Sequence, residues 1–289
     1  MNLSAPYPGW SRPEVHGHRG CRGLLPENTL PAFARAVALG VDVLELDVVI
    51  SADQQVVVSH EPWFSAPICR LPTGEPIEPA HELQHNLYQL SYAQIRQYDC
   101  GLTQHPRFPK QQPLPVYKPL LREVIRQTEA QVAQLGRSAV RYSIEVKTEP
   151  GGDDIFHPGP AEFVALVLAV LGEEQGVLER TTLLSFDERI LQWTRRLAPN
   201  LPLCLLVEDG RPLAEHLAVL GFVPPVFGPN YTLLTPELLR EVQALGMRLV
   251  PWTVNDEASM RRLIQLDVHG ITTDYPDQLL TILAGQRQG

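Results

Sequence analysis

No stretch of the chain stays apolar long enough to cross a bilayer. The longest run, around FVALVLAV at 163–170, is far below the roughly 20 residues a spanning helix needs. Basic residues are in deficit as well. Against 33 Asp and Glu there are 24 Lys and Arg, and the net charge of −9 argues against nonspecific binding to nucleic acid or anionic membranes. A small phosphorylated ligand remains admissible, because a few local cations or a metal ion can reverse the field inside a cleft. Cysteine is scarce and unpatterned: Cys21, Cys69, Cys100 and Cys204 form no CxxC pair and no metal-finger spacing. Free thiols in a reducing compartment are the simplest reading. The opening MNLSAPYPGWSRPE has no apolar signal core, so the expected location is cytoplasmic.

What is present is a repeated unit, a short β-branched run followed by an amphipathic helical stretch. Strand candidates are EVHGHR, VDVLELDVVI with the small extension QQVVVSH, RYSIEVK, TTLLSF, LPLCLLV, PVFGPN, RLVPWTV and GITTD. Helical stretches such as NTLPAFARAVALG, PLLREVIRQTEAQVAQLG and TPELLREVQALG lie between them, several ending in the glycine that closes a helix. Eight strands alternating strictly with eight helices imply parallel strands joined by crossovers, hence an α/β (β/α)8 barrel in one domain over 1–289. The rival open doubly wound sheet lacks a Gly-rich dinucleotide fingerprint after the first strand. One segment breaks the rhythm. Residues 61–119 hold ten of the 27 prolines and seven of the 20 aromatics, which suggests an ordered insertion serving as a lid or substrate selector. LSYAQIRQYDCG is a candidate short helix within it.

Chemistry concentrates near strand ends. Glu45 and Asp47, at i and i+2 of one strand, share a face, while Leu44, Leu46 and Val48 face the helices. Two inward carboxylates repel unless a cation sits between them. Oxygen-only ligation favours one divalent cation, Mg²⁺ or Ca²⁺. Glu145 and Lys147 repeat the spacing in SIEVK. His18 and His60 leave the first strand and the second strand's extension on one barrel face, where two imidazoles can serve as acid and base. His16 points the same way as His18, and spacing does not choose between them. Arg19 suits bidentate phosphate binding. Ser185, Asn255 and Asp274 are further strand-end groups, Asp187 and Asp256 read as helix N-caps, and Trp252 is either core or pocket wall.

HRGCRGLLPENTLPAF, ELDVVISADQQVVVSHE, IEVK, SFD, WTVN and GITTDYP together resemble, in order, the motifs of the glycerophosphodiester phosphodiesterase family. The resemblance covers the chain outside the insertion and independently implies a TIM barrel. It selects His18 over His16, with His60 as the second catalytic histidine. It implies Glu45, Asp47 and Glu145 as metal ligands, and Arg19 and Lys147 as cations near the phosphate; Trp252, taken as pocket wall, is the candidate substrate contact beside them. His16 becomes structural support, and Glu27 either joins the site or caps the first helix. The implied reaction is metal-dependent hydrolysis of a small glycerophosphodiester to glycerol 3-phosphate and an alcohol.

Two departures stand out. Where the family has H-D…L-D-R-T the chain reads HEPWFSAPICR, and in place of I-P-T-L-E-E it reads VYKPLLREV. Both flank the insertion, so the released alcohol is open. One alternative is a different diester, such as a lysophospholipid. A barrel that binds without turnover is a further alternative, disfavoured because no candidate histidine or acid is missing. Neither the oligomeric state nor the choice of metal is legible.

Overall fold

The computed structural model describes residues 12–285; the N-terminal segment read as leaderless lies largely outside them. Nine strands form one sheet: β1 (Glu14–Gly17), β2 (Val43–Ile50), β3 (Val56–Val58), β4 (Arg141–Val146), β5 (Thr181–Ser185), β6 (Leu203–Val207), β7 (Val226–Pro229), β8 (Arg248–Leu249) and β9 (Gly270–Thr273). The order is β8-β7-β6-β5-β4-β2-β1-β9, parallel throughout, with β3 antiparallel on β2. Between the two ends of that path, His269 N donates to Leu249 O (2.9 Å) and Thr272 N to Pro251 O (3.1 Å). These bonds bring the sheet round into a nearly closed eight-stranded barrel.

The helices are α1 (Leu30–Leu39), α2 (Tyr92–Ile95), α3 (Leu121–Gln134), α4 (Pro160–Leu171), α5 (Glu188–Leu197), α6 (Leu213–Leu220), α7 (Pro236–Ala244), α8 (Glu257–Gln265) and α9 (Pro276–Gly285). Their starts follow from side chains that satisfy orphan amides. Thr29, Asp187, Thr235 and Asp256 accept from Ala32, Arg189, Leu238 and Ser259 N respectively. Gly40 and Gly221, at φ 105° and 83°, end α1 and α6 in the left-handed conformation that an L side chain resists. Every expected strand and helix is therefore found, with the extension separating as β3. Leu44, Leu46 and Val48 are buried in the same core as the helix residues Phe33, Val124, Ile125 and Phe163, as the alternation required.

The insertion is ordered and carries its own small core: Phe64, Cys69, Ile77, Leu87, Ile95 and Cys100 pack on Val49 and Val57. LSYAQIRQYDCG is helical only over α2. The free-thiol reading requires correction. Cys69 and Cys100 form a disulfide within the insertion, at a sequence separation of 31 that no motif announces. Cys21 and Cys204 remain free and buried, and burial pushes the Cys21 thiol up to about 12. Disulfides are rare in reducing compartments, so the cysteines no longer support the cytoplasmic expectation. No helix among the described residues is long and apolar enough to cross a membrane.

Candidate active site

The barrel mouth opens on a cavity of about 1220 Å³ whose lining includes His18, Arg19, Glu45, His60, Glu145, Lys147, Trp252 and Asp274. Strand β2 projects Glu45 and Asp47 inward, and β4, in register beside it with Asp47 opposite Glu145, supplies the third acid. Carboxylate oxygens of the three lie within 4.8 Å of one another, and all three residues are buried. Burial, followed by the charges of Asp47 and Glu145, raises the Glu45 pKa well above the usual carboxylate range. Asp47 is held low against its own burial, chiefly by Arg19. Its Oδ1 is buried without a hydrogen-bond partner, although Asn28 Nδ2 donates to Oδ2 at 2.8 Å. Crowded acids with an unused oxygen suit a divalent cation bound by oxygen ligands.

His18 follows β1. Its Nδ1 lies 2.7 Å from Asp274 Oδ1, which leaves Nε2 3.9 Å from Glu45. Burial drives the imidazole pKa down to about 4, against the pull of Asp274. Asp274 is itself clamped: Arg22 donates to both its oxygens (2.7 and 3.0 Å) and Asn255 Nδ2 donates at 2.7 Å. His60, beyond β3, repeats the arrangement, with Nδ1 2.7 Å from Glu61 Oε1 and Nε2 3.1 Å from Lys147 Nζ. Lys147 in turn donates to Glu145 at 2.7 Å. Two imidazoles, each backed by a carboxylate at Nδ1, thus approach the acid trio from different strands.

Arg19 sits in the left-handed region at φ 49°, where its backbone N donates to Glu45 Oε2 at 2.8 Å. Such a conformation in a non-glycine residue costs energy and concentrates at functional sites. Nη1 of Arg19 meets Glu27 at 2.6 Å, while Nε, 3.3 Å from Asp47, makes no hydrogen bond. Glu27 therefore joins the site, and the cap of α1 falls to Thr29. His16 turns to Glu14 at 3.3 Å; both are buried, and Glu14 also pairs with the part-exposed Arg248 and Arg141. Trp252 is pocket wall: its Nε1 donates to Gly228 O at 2.7 Å, and its ring meets Phe186 edge-on at 5.4 Å.

Sequence reasoning passed over Arg22, Asn28, Glu61 and Lys118. Arg22 and Asn28 lie inside the quoted HRGCRGLLPENT segment, and Glu61 follows His60 directly, so proximity to the histidines was the available signal. Lys118 had none, being 58 residues beyond His60 in sequence.

The glycerophosphoryl diester phosphodiesterase family model matches residues 18–278. A glycerophosphodiester phosphodiesterase of Caldanaerobacter subterraneus is 30% identical over 269 residues, covering 93% of this chain and 97% of that one. A lysophospholipase D of Rattus norvegicus is 28% identical over 92% of this chain and 84% of its own. Among solved structures, a candidate glycerophosphoryl diester phosphodiesterase from Silicibacter pomeroyi superposes with a TM-score of 0.85 at 33% identity, covering 96% and 95% of the two chains.

Proposed function

From the premise that the chain belongs to the glycerophosphoryl diester phosphodiesterase family and is a phosphoric diester hydrolase, we propose that it hydrolyses a glycerophosphodiester to glycerol 3-phosphate and an alcohol, with a divalent cation held by Glu45, Asp47 and Glu145. The observation that carries this reading is the pair of carboxylate-backed imidazoles beside the buried acid trio. When bound, the cation would lend positive charge to phosphoryl oxygens. Arg19 and Lys147, both lining the cavity, add the guanidinium and ammonium that stabilise charge as it builds there. His18, kept unprotonated by burial, takes the proton of the attacking oxygen at Nε2. Once Lys147 leaves His60 Nε2 for a phosphoryl oxygen, the imidazole protonated at both nitrogens delivers its Nε2 proton to the leaving alcohol oxygen as the P–O bond breaks. Asp274 and Glu61, each at Nδ1, fix which nitrogen faces the substrate.

The 61–119 insertion selects the alcohol. It brings Trp63, Leu83 and Arg107 to the cavity rim, where Trp63 packs edge-on against Phe156 at 5.5 Å. Exposed Leu83 (53%) beside these aromatics favours a second reading, in which lipid-linked diesters such as lysophospholipids also enter. The test is a coupled glycerol 3-phosphate assay over small and lipid-linked diesters, with Mg²⁺, Ca²⁺ and chelator in parallel. Cation-dependent release that disappears in folded His18→Ala and His60→Ala is expected. Unchanged release in both variants would overturn the acid–base roles, and no release from any diester would overturn the substrate.

A further inference from the structure

Lys118 stands at the far end of the insertion and is only 6% exposed. A buried ammonium is costly, and natural chains bury lysine almost only against a partner. Lys118 makes no direct ion pair among the described residues. Its Nζ donates one hydrogen bond, to Ser59 Oγ at 2.7 Å, and sits 5.7 Å from the Phe64 ring centroid. Ser59 immediately precedes His60. Its Oγ donates onward to Glu61 O at 2.6 Å, and its N donates to Asp47 O at 3.0 Å. The residue after the lysine is pinned too, since Val58 N donates to Pro119 O at 2.8 Å.

The ammonium therefore lies behind the turn that carries His60 and Glu61. Glu61 feels it as an attractive charge, and Glu61, then Glu27 and Asp47, are the anions that oppose the burial penalty on Lys118. The two segments where this chain departs from the family's usual motifs, HEPWF and VYKPLL, are the two that meet here. A hydroxyl bond alone would be met by a neutral side chain. A buried charge at this place makes sense if an anion beside it must stay put, and the anion beside it is the one bonded to His60 Nδ1.

We propose that Lys118 is a positioning residue for His60: it fixes the Ser59–Glu61 turn and the Glu61 carboxylate, and through them the ring orientation and Nδ1–H of the imidazole. The insertion thereby reaches the reacting centre through its last residues as well as through its rim. The assignment rests on the acid–base role proposed for His60. Removal of Lys118 should lower turnover without weakening substrate binding, because the residue touches His60's support and not the substrate.

The test uses Lys118→Met, which keeps the length of the stem and removes the charge. With intact thermal unfolding, kcat is expected to fall about 10- to 100-fold while KM moves less than about twofold. Nitrogen-15 histidine NMR supplies a readout independent of turnover. The parent protein should show a hydrogen-bonded Nδ1–H proton for His60, assigned by its loss in His60→Gln, and Lys118→Met should lose or broaden it. Parent-like kcat with a parent-like proton signal overturns the proposal. So does a variant that is merely less heat-stable, with kcat per folded molecule unchanged. Should Lys118→Met fail to fold, Ser59→Ala breaks the same chain from its other side and is read by the same two criteria. If the parent itself turns over no diester, the proposed function fails, and the NMR comparison alone decides the role of Lys118.

Discussion

The two halves of the barrel interior are made of different material. Strands β1, β2 and β4 and the loops after them present His18, Glu45, Asp47, Glu145 and Lys147. Strands β5 to β8 and their exits present mainly Leu184, Phe186, Cys204, Leu206, Val226, Val250 and Trp252, with Glu208 and Arg248 as the charged exceptions. A uniform interior of either kind would serve a phosphodiester badly. Apolar walls give no compensation for phosphoryl charge, and charged walls keep carbon-bearing groups hydrated. In the proposed reaction the phosphate belongs to the charged side, and the other side supplies shape and desolvation. The division also places the buried acids of the first side beside Arg19 and Lys147, which offset part of their mutual repulsion.

The largest effect should come from the charged half. Glu45→Gln is expected to lower turnover by about 10³-fold or more by removing a candidate ligand. The same change should raise the melting temperature of chelator-treated protein, since it removes one of three crowded acids. A lower melting temperature would contradict the repulsion. Next is Asp274→Asn, which takes the closer of two carboxylate partners from the buried Arg22, leaving Glu27 at 3.7 Å, and removes the anchor of His18. Stability should fall by about 3–5 kcal/mol in chemical unfolding, with turnover dropping alongside.

The apolar half should answer differently. Leu206→Ala is expected to raise KM by about tenfold with kcat within about twofold, as expected for lost apolar contact. A kcat-only defect would erase the contrast between the halves. The smallest effect concerns acid stability. Burial holds His18 down to about 4 against a reference of 6.5, so between those values the unfolded chain binds the extra proton. That contribution is complete above pH 6.5 and is lost as pH falls through about 4. Melting temperature against pH should therefore decline less steeply over this window in His18→Asn than in the parent.

The barrel was legible because period-2 and period-3.6 patterns are local, and Leu44, Leu46 and Val48 show their outward packing in three alternate letters. The acid trio was legible for the same reason: i, i+2 spacing on a strand fixes the face, and parallel register brings Glu145 beside Asp47. The insertion was legible as an ordered segment, from its prolines and aromatics, but not in its architecture. Its order comes from a disulfide and a small core gathered across long separations, neither of which leaves a periodic trace. The carboxylates and cations that support the histidines were half legible. Asp274 appeared as a strand-end group, but its bidentate partner Arg22 lies 252 residues away, and such a pairing exists only in the folded chain. His16 shows the opposite limit: it shares a face with His18, yet Glu14 draws it into a separate ion cluster.

The most direct test of the division is a titration of metal-stripped protein with Ca²⁺ or Mg²⁺ while glycerophosphodiester hydrolysis is followed. Turnover should be absent at the start, recover as the cation is added, and fail to recover in Glu45→Gln. Full turnover in the presence of chelator, or equal recovery in Glu45→Gln, would contradict the account of the charged half.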